Sequence, residues 1–153
     1  MLYQWNIIGH EKELSHLESD LSEDATYHAY LFTGPEKIGK FRVAKTLTNI
    51  LQCPNNFCHS CSTCTLIEKK SHPDTIELED TGESIKISEV RDLITRLNMT
   101  GQSRYKILLI QNIGRLTPEA ANALLKTLEE PPSKTVFLFT AHHIKEIIPT
   151  IVS

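Results

Sequence analysis

Two stretches of this 153-residue chain carry residue types and spacings that could do chemistry. The first is "FTGPEKIGKF", residues 32 to 41, which fits the phosphate-loop pattern G-x-x-x-x-G-K-[ST] until its last position. Gly34 and Gly39 would let backbone N–H groups curl around an anion, the following helix would add its positive end, and Lys40 would supply a point charge. Gly34, Pro35, Lys37, Gly39, Lys40 and Phe41 are therefore the candidate anion-binding residues. Phe41 stands where hydrolysis needs a Ser or Thr hydroxyl on Mg²⁺.

The second stretch is "CPNNFCHSCSTC", which holds all four cysteines of the chain, Cys53, Cys58, Cys61 and Cys64, spaced C-x₄-C-x₂-C-x₂-C. A closed tetrathiolate shell suits a structural Zn²⁺, and an iron–sulfur cluster is the rival for such spacing. His59 lies among the cysteines, but four sulfurs already complete a shell. Lys and Arg are missing between Cys53 and Cys64 and Phe57 is the one aromatic there, a poor outfit for reading nucleic acid. Lys69 and Lys70 just beyond read as a solvated helix end.

The elements that must position these residues follow from periodicity. Leu14, Leu17 and Leu21 mark an opening helix over about 9–21. "HAYLFTG" is a short apolar run suited to a buried parallel strand, and Val43, Leu47, Ile50 and Leu51 give the next helix one buried face. "DTIELED" reads as a second strand and "ISEVRDLITRLNM" as a helix capped by Ser88. "KILLI" and "TVFLFT" are further buried strands, with a helix between them that starts at Thr117-Pro118 and ends at Pro131-Pro132. Strands alternating with helices imply an α/β fold with a parallel sheet covered on both faces.

That order of elements also locates the acids of hydrolysis, which should follow the strand "KILLI". Gln111 and Asn112 stand there, and neither can give carboxylate charge to a metal or act as a base. Asp74, Glu77, Glu79 and Asp80 read as a solvated strand edge, and they are the other acids at hand should a different strand carry the site.

Composition sets the frame. With 40% hydrophobic and 23% charged residues the chain is an ordinary globular domain, and a net charge of −3 gives no global basic field for DNA. It has no apolar run long enough to span a bilayer and no basic-then-hydrophobic N-terminus, which implies the cytoplasm. Internal repeats and Gly/Ser linkers are lacking, and apolar periodicity at Ile147, Ile148, Ile151 and Val152 continues to Ser153, so the chain is expected to be a C-terminally truncated piece.

Taken together, "NIIGHEKEL", "HAYLFTGPEKIGK", the cysteines before "HPD", "IKISEVRDLI", "YKILLIQNIGRLTPEAANALLKTLEEPP" and "IIPTIVS" resemble the bacterial DNA polymerase III clamp-loader family, its delta-prime type in particular. The resemblance covers essentially the whole chain, and "AANALLKTLEEPP" is its most specific part. It implies an AAA+ domain over 1–153 with a zinc module at 53–64 inserted in it, and lid and collar domains beyond Ser153. It implies an arginine finger directly after "IVS" and a sensor position at Thr140 or Ala141. ATPase members of the family resemble a full phosphate loop with an acidic pair; the departures at Phe41, Gln111 and Asn112 imply a subunit that does not hydrolyse ATP and in which ATP or ADP binding is in doubt. Its partners would be the ATPase subunits and delta in a hetero-pentameric ring, with the sliding clamp and primer-template DNA reached through the complex. An active ATPase subunit and a zinc-dependent nucleic-acid binding module are the competing readings.

Overall fold

Side chains alternate across a strand with period two, so a strand buried on both faces must be apolar at every position. The runs "ILLI" (107–110) and "VFLF" (136–139) meet that demand and lie in the two central strands of the sheet. The computed structural model describes residues 28–34, 39–53, 58, 60–99, 101 and 105–142. Within them run β1 (Ala29–Thr33), α1 (Lys40–Gln52), α2 (Ser62–Glu68), β2 (Thr75–Leu78), α3 (Ile87–Leu97), β3 (Lys106–Ile110), a 3-10 turn (Ile113–Arg115), α4 (Pro118–Glu129) and β4 (Thr135–Ala141). The helix expected over 9–21 and the segment from 143 onward lie outside the described residues.

The four strands are all parallel, in the order β1-β4-β3-β2, with Leu31 opposite Phe139, Leu108 opposite Phe137, and Ile76 opposite Leu108. One face of the sheet, with Leu108, Ile110, Phe137 and Phe139, packs against Val90, Leu93 and Leu97 of α3 and Ala120 and Leu124 of α4. The other face, with Ile107, Leu109, Val136 and Leu138, packs against Val43, Ala44, Leu47, Ile50 and Leu51 of α1. The result is the three-layer α/β arrangement, helices on both sides. Burying such side chains contributes roughly 25 cal/mol for each Å² of apolar surface removed from water, which makes these two clusters the main source of stability.

Helix ends follow local chemistry, with one correction. The Thr117 hydroxyl accepts from the Ala120 N–H at 3.2 Å and Pro118 opens α4, as expected. Ser88, however, does not cap α3. Lys86 is the cap residue, and the Glu89 carboxylate reaches back to accept its N–H at 2.8 Å. An acid in the first turn also suits the helix dipole, so Glu89 does what was expected of Ser88.

Because every strand points the same way, the C-terminal ends of β1, β2, β3 and β4 open onto one edge of the sheet. Gly34, Asp80, Gln111, Asn112 and His142 all follow strands there, at the place where open α/β sheets bind ligands.

Candidate functional site

The described residues of the candidate phosphate loop, Gly34, Gly39, Lys40 and Phe41, lie at this edge. Gly39 caps α1 with φ of +90°, a left-handed conformation that favours glycine, while an added Cβ would meet nothing within 4 Å. Glycine is required here by backbone conformation rather than by space. Among the described residues no side chain caps α1 and no acid lies in its first turn, and the positive end of the helix borders the cleft. The cleft, about 340 Å³, is bounded by Gly39 to Arg42, Asp80, Gln111, Asn112 and Thr140 to His142.

Lys40 crosses this cleft. Its ammonium donates to the Gly34 carbonyl at the end of β1 and to the Ala141 carbonyl at the end of β4, at 3.1 Å for the latter, and lies 3.3 Å from Nδ1 of His142. Phe41 is half-buried and packs against the α1-side core beside the cleft. Gly34, Gly39, Lys40 and Phe41 are thus placed together; Pro35 and Lys37 lie outside the described residues.

The end of β3 holds a network built on neutral groups. Asn112 is buried, in the left-handed region at φ of +61°, which asparagine tolerates better than most residues. Its Nδ2 donates to the Asp80 carboxylate at 2.9 Å, its Oδ1 accepts from the Gly114 N–H at 3.2 Å, and its backbone N–H donates to the Thr140 hydroxyl at 2.8 Å. Gln111 Oε1 accepts from the Asp80 N–H at 3.0 Å.

Asp80 therefore needs a different description from the solvated edge expected of the β2 acids. It sits in the cleft, and its Oδ1 accepts from the Gly82 N–H at 2.9 Å and from Arg115 Nε at 3.0 Å. Burial pushes its carboxyl pKa up, but the hydrogen bonds from Asn112, Gly82 and Arg115 outweigh that and hold it below the ordinary value. Glu77 is likewise buried, its side chain 6% exposed and 3.3 Å from Lys45 Nζ. Glu79, exposed and paired with Lys70, matches the expectation of a solvated acid. Of the four acids that the sequence offers as alternatives, Asp80 is the one that lines the cleft, which a strand pattern does not single out. His142 carried no signal in the sequence at all, and Thr140 is now placed against Asn112.

The four cysteines also converge, at the opposite end of α1. Their sulfurs all lie within 4.8 Å of one another. Cys53 closes α1, Cys61 caps α2, and Cys53 and Cys64 are buried while Cys58 and Cys61 are half-exposed. Sγ of Cys53 is 3.8 Å from that of Cys58 and 3.7 Å from that of Cys61. A tetrahedral ion with metal–sulfur bonds of about 2.3 Å needs sulfurs roughly 3.8 Å apart, so the spacing fits a single metal ion.

The backbone supports the same chemistry. The N–H of Cys58 donates to Sγ of Cys53, that of Cys61 to Sγ of Cys58, and that of Cys64 to Sγ of Cys61, at 3.3 to 3.5 Å. Donors aimed at sulfur favour the thiolate, the form that binds metal. The Ser60 amide and hydroxyl, with the Cys61 amide, lower the Cys58 pKa from 9.0 to about 6. His59 lies outside the described residues. Among the described residues, no helix is long and apolar enough to cross a membrane.

Residues 9–153 match the family described as DNA polymerase III, delta subunit. The chain is 37% identical to the DNA polymerase III subunit delta' of Pseudomonas aeruginosa over 82% of its own length and 40% of that protein. It is 34% identical to the DNA polymerase III subunit tau of Escherichia coli over 97% of its length and 24% of that protein. A crystal structure of a DNA polymerase III gamma subunit-related protein from Thermotoga maritima superposes with a TM-score of 0.64 at 25% identity, covering 91% of this chain and 42% of that one. The chain thus spans between a quarter and about two fifths of these relatives, and the fold is that of AAA+ P-loop proteins. By its sequence match and its sheet, the chain belongs to the DNA polymerase III delta subunit family of clamp-loader proteins.

Proposed function

We propose that this chain is a domain of a clamp-loader subunit that does not itself hydrolyse ATP and works through its interfaces. The observation that carries the reading is the Asn112 amide, which donates to Asp80 at the position where a hydrolysing site needs a carboxylate. A carboxylate at 112 could not make that bond. Phe41 removes the hydroxyl ligand of Mg²⁺ on the other side of the cleft, so both halves of the metal chemistry are missing. Lys40, engaged with the Gly34 and Ala141 carbonyls, has a structural occupation in place of a phosphate, which supports weak or absent binding of ATP and ADP.

The cysteine cluster is read as a structural zinc site in which Cys53, Cys58, Cys61 and Cys64 would hold the ion and leave no open position for substrate. The sulfur spacing favours one ion over a multi-iron cluster, which would stand between the thiolates and hold them farther apart. The partners in this reading are the ATPase subunits and delta of a hetero-pentameric ring, and through them the sliding clamp and primer-template DNA, in the cytoplasm.

One observation favours a second reading, an active ATPase: Asp80 does lie in the cleft. Its oxygens are committed to Asn112, Gly82 and the Arg115 guanidinium, however, which leaves little for a cation. The test is ATP turnover by the chain with Mg²⁺, alone and with the other loader subunits. No turnover attributable to this chain is expected; appreciable turnover abolished by Lys40→Ala would overturn the proposal.

A further inference from the structure

Two elements run between the cysteine cluster and the cleft. α1 starts at the cleft with Lys40 and ends against Cys53. β2 runs the other way: it starts at Thr75, beside Gln52, the residue before Cys53, and ends two positions before Asp80 in the cleft.

The two are tied to each other at the cysteine end and in the middle, and at the cleft end β2 is tied to the residue that follows β3. At the cysteine end, Gln52 is buried, and its Nε2 donates to the Thr75 hydroxyl at 3.0 Å and to the Tyr105 carbonyl at 2.8 Å. The Thr75 hydroxyl also shares a 2.9 Å hydrogen bond with Nδ1 of buried His72. Midway, Lys45 of α1 pairs with the buried Glu77 of β2. At the cleft end, the Gln111 N–H donates to the Leu78 carbonyl at 2.9 Å and Gln111 Oε1 takes the Asp80 N–H.

β2 is the element this frame most needs to hold. It has four residues and, among the described residues, pairs on one side only, with β3. A short edge strand has few bonds of its own to resist local opening. We infer that the metal-loaded cysteine cluster anchors the start of β2 through Gln52 and Thr75, and so fixes Asp80 and its amide network in the cleft at the far end. The inference rests on the reading of the cluster as a metal site and adds to it a consequence at a distance.

Amide hydrogen exchange on the full chain, with one equivalent of Zn²⁺ and after its removal by a chelator, tests the proposal. Removal is expected to speed exchange at Asp80, Gly82 and Gln111 about ten-fold, together with Cys58 to Cys64, and to leave Ala121 to Leu124 of α4 unchanged. A change confined to residues 53 to 72 overturns it, and so does equal acceleration of α4, since a domain that opens as a whole has no local brace. Thr75→Val with zinc still bound is expected to speed exchange at Asp80 without metal loss; unaltered exchange there overturns the route through Thr75. A chain that takes up no metal overturns the metal reading and this inference together, whereas metal uptake with an indifferent cleft overturns this inference alone.

Discussion

Asn112 and Asp80 are chemical complements: the amide at the end of β3 gives its N–H to the carboxylate that follows β2, at 2.9 Å. Exchanging either one alone breaks the match. Asn112→Asp would set two carboxylates against each other in a partly buried place and leave Asp80 short of a donor. A destabilisation of about 1–3 kcal/mol at pH 7 is expected from the lost bond and the like charges. Adding Asp80→Asn should recover most of it, because the donor and acceptor are then only reversed. Urea midpoints of the two single variants and the double variant decide this, and a double variant no better than Asn112→Asp would count against it.

Acid should weaken the same network. The Asp80 carboxyl is held below its ordinary value of 3.8 in the folded protein, although burial alone would raise it. A depressed folded-state pKa contributes stability that is fully present above the unfolded value and lost as pH falls through the folded one. The contribution of Asp80 should therefore be constant above about pH 5 and decline below about pH 4. Asp80→Asn should flatten that part of the profile, measured as the difference in urea midpoint between wild type and variant across the acid range.

For the cysteines, the expected content is about one zinc per chain, with Cys58→Ser and Cys64→Ser each releasing it. α2 has seven residues, too few to hold its helix alone in water, so helicity measured by circular dichroism should fall with the metal. Metal analysis checks the first part; either variant keeping its zinc in full would refute the four-sulfur site, and iron with visible absorption would replace zinc by its rival.

Phe41→Thr restores the missing hydroxyl beside Lys40. It should nevertheless give no Mg²⁺-dependent gain in ATP affinity, because Asn112 still offers no carboxylate. Since Phe41 is only half-buried against the α1-side core, the cost should be about 1–2 kcal/mol, below that of a fully buried Phe. Nucleotide titration with and without Mg²⁺, alongside thermal unfolding, separates the two effects.

How far the sequence disclosed all this depends on whether each signal is local. The runs "KILLI" and "TVFLFT" are so apolar that strands buried on both faces were the natural reading, and Thr117-Pro118 announces a helix start by hydroxyl and fixed φ. The cysteine cluster was legible because its ligands are near neighbours in the chain. Ser88 misled because a serine before an apolar face looks like a cap, while the competing cap, Glu89 reaching back to Lys86, depends on which of two adjacent turns closes first. Asp80 was legible only as one of four alternative acids, and His142 was not legible as a site residue. Both lie just past the ends of strands, Asp80 after β2 and His142 after β4, and spacing within one strand carries no record of which strand ends share a cleft.

The cysteine cluster and the cleft differ in when they can come into being. All four sulfurs belong to residues 53 to 64, so the cluster can gather as soon as that short stretch has left the ribosome. The cleft needs Lys40 to meet the Ala141 carbonyl, 101 positions later in the chain. The cluster therefore rests on contacts that are local in the chain, whereas the cleft rests on contacts that only the finished sheet can supply.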